Sequence, residues 1–206
     1  MKKFLATLVS YVFHPIWLVP LMAAYLIYAD PVLYLGFPPK LKLFRLITVL
    51  IDGVFFPLIS VLLAKALGFI SSIQMRESRD RIIPYIVTLT CYFWGWRVFQ
   101  NLPDTPAAMT AMIFGVFLSA SAALVLNSFL KISMHTIGVG GLVTFMALCC
   151  IRNPGGYAPL FLALSILIAG MVWTARLIVS NHTTAELTLG FAVGVAGMLL
   201  GTVFFH

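Results

Sequence analysis

The sequence predicts an all-α fold, a polytopic transmembrane bundle of about seven spans, and three observations predict it. Of 206 residues, 62% are hydrophobic and only 9% are charged. Soluble globular domains carry roughly 45–50% apolar and about 25% charged residues, so a water-facing fold is excluded. The apolar residues also fall in runs of the length a bilayer demands, about 20 residues for a helix. Finally, no soluble linker, low-complexity tract or clear repeat separates the runs, so residues 1–206 read as a single integral-membrane domain.

The runs cover residues 4–28, 43–70, 82–99, 107–130, 135–151, 158–179 and 187–205. Lipid offers the backbone no hydrogen bonds, so each is expected to be a helix. The first run follows Lys2-Lys3, as a signal sequence does, but His14-Pro15 and Pro20 interrupt it and no small-x-small cleavage site follows. A retained first span with a kink at His14-Pro15 is expected. The second run contains Asp52. A lone charge near mid-membrane costs about 2.5–3.5 kcal/mol on insertion scales, so a partner is expected, with Arg97 of the third run the candidate. Cys91, Cys149 and Cys150 lie inside apolar runs and read as core thiols. Trp17, Trp94, Trp96 and Trp173 read as interfacial or packing aromatics. The fifth run has Gly138, Gly140 and Gly141, and the last has Gly190, Gly194, Gly197 and Gly201. These are spacings that admit a neighbouring helix closely, with a homodimer through the last set as a further expectation.

The connections divide into two kinds. Those after runs one, three and five are turn formers: Asp30-Pro31 with Pro38-Pro39, Pro103 with Pro106, and Asn153-Pro154-Gly155-Gly156. Those after runs two, four and six carry cations, histidines and hydroxyls, and alternation of spans puts all three at the membrane face that holds the N terminus. Thirteen Lys and Arg against six Asp and Glu give a net charge of +7. In a membrane chain that excess suits anionic lipid or phosphate, not nucleic acid.

The sixth connection holds Arg176, then His182 six positions on, then Glu186 four further. A carboxylate hydrogen-bonded to one imidazole nitrogen fixes the tautomer and leaves the other as a nucleophile or base. Thr183-x-x-Glu186 equally fits a helix capping box with His182 a bystander, and both readings stay open. The fourth connection supplies Lys131, Ser133 and His135, beside the free N–H groups of a helix start. The alternative for Lys131 and His135 is snorkelling to the interface. The second connection adds Arg76, Arg79 and Arg81 among Glu77 and Asp80, which alone would read as a solvated loop. Together, guanidinium groups can neutralise a phosphoryl-transfer transition state, while one histidine attacks phosphorus and the other protonates the leaving oxygen. No Asp/Glu/His cluster has a metal site's ligand count, so chemistry without metal or other cofactor is expected.

This order of residues resembles the type-2 phosphatidic acid phosphatase family, which shares its site with vanadium haloperoxidases. Its third motif, Ser-Arg-x5-His-x3-Asp, matches Arg176 and His182, with Ala175 for Ser and Glu186 for Asp. Its second, Pro-Ser-Gly-His, is similar to Ile132-Ser133-Met134-His135, keeping Ser and His. Its first, Lys-x6-Arg-Pro, is loosest: Arg76 stands eight before Pro84, Ile83 takes the Arg position, and Arg81 is the displaced replacement. The resemblance implies a helical membrane phosphatase of the small bacterial branch, in a cytoplasmic membrane, acting on a phospholipid or polyprenyl phosphate. His182 would be the nucleophile, Glu186 its orienting partner and His135 the general acid. Arg176, Arg81, Arg76, Ser133 and Lys131 would bind phosphate. Met134 in place of Gly would crowd that pocket. Competing expectations are a protein that binds or transports phosphate without hydrolysis, and a degenerate family member.

Overall fold

The computed structural model describes residues 1–72, 80, 82–180 and 182–204. Among them every regular element is helical. In chain order these are α1 (Lys2–Val12), α2 (Pro15–Ala24), α3 (Pro39–Leu50), α4 (Phe56–Ala66), α5 (Ile82–Asn101), α6 (Ala107–Asn127), α7 (Met134–Arg152), α8 (Ala158–Val179) and α9 (Thr184–Val203). Five-residue π-helical segments extend α2 over Tyr25–Ala29 and join α3 to α4 over Ile51–Phe55.

Five of the described helices are long and apolar enough to cross a membrane: Pro39–Ala66 taken as one, α6, α7, α8 and α9. The first run becomes a sixth span if its two pieces, bent by 50°, count as one. The bend lies where the sequence predicted a kink. Pro15 starts α2, where a proline's missing N–H costs nothing, and the His14 side chain caps it by accepting the Ile16 N–H at 3.3 Å. The third run, α5, is 20 residues long but is not among these spans. Its tyrosines, tryptophans and Arg97 dilute its hydropathy, so five or six candidate spans stand among the described residues and the count of about seven is not confirmed.

The outer surface suits lipid: Leu160, Ile166 and Leu167 of α8 are all more than half exposed. The interior is knitted by glycine. A Cβ added at Gly194 would stand 2.0 Å from the Ile137 carbonyl of α7, and one at Gly201 would stand 2.6 Å from the Ala111 carbonyl of α6. All four glycines of the α9 series are buried, and that face packs on α6 and α7 within the chain. Aromatic rings fill the wider gaps, as where Trp96 meets Phe114 at 4.9 Å and Trp173 meets Phe191 at 6.3 Å. The three cysteines are unbonded thiols within helices, Cys149 fully buried.

Contacts between distant stretches sort the connections into two ends, as alternation of spans requires. At one end Asp30 accepts the N–H groups of Val32 and Leu33, both at 3.0 Å, and pairs with Arg152 at the end of α7. There too Arg45 donates to the Pro103 carbonyl at 2.8 Å. The opposite end gathers the starts of α7 and α9 and the last turn of α8.

One expected pair does not form. Arg97 bonds Gln100 and lies 5.6 Å over the Trp96 ring, turned away from Asp52. The π-helical turn instead directs the Asp52 carboxylate at Gly95, whose missing side chain leaves room for it: a Cβ there would be 3.3 Å from Oδ2. A π-turn shifts the helix register by one residue, which no simple helical count from sequence anticipates.

The glycine packing makes a prediction. Gly194→Ala should destabilise the protein by about 1–3 kcal/mol, the usual cost of overpacking against unyielding backbone. Gly170→Ala, where nothing lies within 4 Å, should leave stability unchanged or slightly raised. Thermal unfolding in detergent compares the two.

Candidate active site

The site starts from how α9 begins. Thr183 is its N-cap, and its hydroxyl accepts the Glu186 N–H at 3.3 Å. The Glu186 carboxylate reaches back, and Oε2 accepts the Thr183 N–H at 2.9 Å. The same oxygen accepts from His182 Nδ1 at 3.0 Å. The capping box and the histidine–carboxylate pair, rivals in the sequence, are thus one arrangement built on one oxygen. Because a carboxylate only accepts, Nδ1 carries the proton and Nε2 keeps its lone pair. The His182 side chain is only 4% exposed, while that of Glu186 is 24% exposed. Burial, and after it the nearby charges of Lys131 and Arg176, hold the His182 pKa below the ordinary imidazole value of 6.5, against the upward pull of the Glu186 hydrogen bond. His182 is therefore a neutral base with an available nitrogen at neutral pH.

The start of α7 supplies the next group. Ser133 is its N-cap, almost fully buried, and accepts the Thr136 N–H at a long 3.5 Å. Thr136 in turn donates its hydroxyl to the Ser133 carbonyl at 3.1 Å, and a Cβ at Gly190 of α9 would lie 2.2 Å from that same hydroxyl. Ser133 is placed as a helix cap deep in the α7–α9 contact. Two residues on, His135 Nε2 lies 3.0 Å from the Ser10 carbonyl of α1. A carbonyl only accepts, so Nε2 carries the proton, and Nδ1 is the nitrogen left to exchange one.

The His135 ring meets a residue that the sequence assigns to a kink and, in the transport reading, to a path shared with Asp52. His14 lies edge-on to it, with ring centroids 5.1 Å apart and planes at 84°. Arg176, in the last turn of α8, is within electrostatic reach of His14, His135 and His182 alike, and Lys131 of His182 and Glu186. The structure thus brings together Lys131 and His135 of the fourth connection with Arg176, His182 and Glu186 of the sixth, and adds His14. The only sequence signal for His14 was a polar residue inside an apolar run, which is a functional pointer in its own right. Arg76 and Arg81 lie outside the described residues. Asp80, from the same connection, bonds Ser71, accepting its N–H at 3.2 Å as well as its hydroxyl.

Met134, feared as an obstruction, lines an apolar cavity of about 360 Å³ together with His14. Among the described residues no group of three or more His, Cys, Asp or Glu is placed to hold a metal ion. Compared with family models, curated proteins and solved structures, the chain matches none.

The double duty of Glu186 can be divided by substitution. Glutamine still accepts at this capping position, so Glu186→Gln should hold the unfolding temperature near wild type while raising neither base strength nor order at His182. Thr183→Ala should instead cost about 1 kcal/mol of stability, as lost N-caps do. Nuclear magnetic resonance of the His182 ring nitrogens should show the Nδ1–H tautomer in wild type and a mixture in Glu186→Ala, which removes the acceptor; a mixture already present in wild type would contradict the geometry.

Proposed function

We propose that the protein hydrolyses a lipid phosphate or diphosphate at the membrane interface without a metal, by way of a phosphohistidine, as a relative of the type-2 phosphatidic acid phosphatases. The observation that carries this reading is the His182–Glu186 contact, which exposes a lone pair at Nε2 beside Arg176 and Lys131. His182 Nε2 attacks phosphorus as the bond from phosphorus to the lipid oxygen breaks. His135, protonated at Nδ1, gives its proton to that oxygen, and the lipid alcohol leaves. Water then attacks the phosphohistidine, returning a proton to His135 and releasing phosphate and neutral His182. Glu186 stabilises the imidazole as it becomes positive, and Arg176 and Lys131 neutralise the phosphoryl oxygens, a role Arg76 and Arg81 share in this reading. Ser133 serves as the cap that aims the start of α7.

The transport alternative requires His14 and Asp52 to line one path. His14 lines the cavity, whereas the residues of the second run that line it are Gly53, Val54, Pro57, Leu58 and Val61, not Asp52. That break favours the enzyme.

Purified protein in detergent with EDTA should release inorganic phosphate from lipid phosphates, with inhibition by vanadate. His182→Ala should remove the release at least about 10²-fold, the lower range for a positioned base or nucleophile. Equal background from wild type and variant across a substrate panel would leave only the binding reading. The pH–rate profile should be bell-shaped. Its acid limb reports protonation of His182, whose pKa is depressed, so that limb should fall below pH 6.5. Activity that rises only above pH 7 would contradict a neutral nucleophile.

A further inference from the structure

Behind His14 the bundle is not filled. The cavity of about 360 Å³ runs between α2, α4, α5, α6 and α7, and falls in the range of about 300–1,000 Å³ typical of ligand sites. One end is bounded by His14, Met134 and Pro84 and the other by Met22, Tyr92 and Met198. From Pro84 to Tyr92 along α5 is about 12 Å at 1.5 Å per residue, so the cavity penetrates well into the hydrocarbon layer. Its walls are overwhelmingly apolar, and the hydroxyl of Ser119 is spent on the Gly115 carbonyl at 2.9 Å. Its other polar lining residues are Tyr11, Tyr85, Thr88 and Tyr92, and His14 stands at the mouth. There His14 turns its ring towards His135, within reach of the Arg176 charge.

An apolar cavity with His14 at its edge, within reach of the Arg176 charge, fits an amphiphile that has an anionic head and a hydrocarbon tail. We infer that this cavity holds one hydrocarbon chain of the lipid phosphate, with His14 as the post between chain and headgroup. The inference rests on the proposed phosphatase reading for the identity of the head, and it assigns the tail. Lipid entering here leaves its phosphate among His182, Arg176 and Lys131 and withdraws one chain from the bilayer into the protein. The chain gains no hydrophobic energy relative to lipid, so the cavity acts by orientation: it fixes the headgroup's height and direction. His14 supports this because its Nδ1 is occupied by the Ile16 N–H, which sets the ring's angle at the mouth.

Two measurements test it independently. The first uses phosphatidic acids with hexadecanoyl or butanoyl chains. Wild type should prefer the long-chain form in kcat/KM, and Ala120→Phe, which fills the tube from α6, should erase that preference. The long-chain value should drop to that of the short-chain form as the headgroup loses its orientation, with the short-chain value unchanged. Val61→Phe, from the opposite wall, should do the same if the first variant folds poorly. The second is photolabelling by a phosphatidic acid carrying a diazirine near one chain end, in wild type and in His182→Ala. Labels at the buried lining residues Met22, Val54 or Tyr92 that disappear in Ala120→Phe support the cavity, even if no phosphate is ever released and the catalytic reading fails. Labels confined to lipid-facing residues such as Leu62 and Phe93, with long-chain activity untouched by both filling variants, would overturn the inference while leaving the phosphatase standing.

Discussion

A single carboxylate oxygen, Oε2 of Glu186, receives the Thr183 N–H that starts α9 and the Nδ1–H of His182. In lipid the free N–H groups of a helix start must find a partner or stay at the interface, because hydrocarbon supplies none. The fold meets that constraint with a glutamate, and the same glutamate orients an imidazole. Helix termination and site chemistry are therefore coupled. A change that loosens the α9 cap loosens His182, and the height of His182 is set by where α9 begins. That height depends in turn on the glycine contacts with α7 and α6, which lock α9 into one axial register.

The remaining site groups follow from the same logic. α7 and α9 are neighbours whose first turns lie at one end, and α8, packed on α7 and α1, returns its last turn to that end. Alternation places Arg176, His135 and His182 together without any sequence proximity. At the other end Arg152 pairs with Asp30 and Arg45 bonds the Pro103 carbonyl, with Lys40 and Lys42 at the start of α3. The histidines are gathered at the end where the apolar cavity opens beside His14.

Much of this was legible in the sequence, for identifiable reasons. Apolar run length marked the helices, since the bilayer sets it. The glycine spacing marked α9 as a closely packed helix, and the His14-Pro15 pair marked the bend. Parity alone gathered Arg176, Lys131, His135, His182 and Glu186. What escaped depends on register and side-chain direction. Asp52 was matched to Arg97 by depth, but the π-turn over Ile51–Phe55 rotates it to Gly95. His14 joined the site only because the 50° bend carries it to the start of α7. The cap made by the Ser133 side chain and the place of Met134 on the wall of the apolar cavity likewise depend on side-chain direction. The weak apolarity of α5 could be counted from its residues, but its boundaries concealed it.

The account stands on Nε2 of His182 being the atom that takes the phosphoryl group. The most direct measurement is to mix the protein with a phosphorus-labelled lipid phosphate, quench in alkali within milliseconds, and map the acid-labile adduct by mass spectrometry. The expected result is a phosphohistidine at His182, absent from His182→Ala and diminished in Glu186→Gln. Steady phosphate release with no adduct at His182, or an adduct carried instead by His135 or His14, would contradict it.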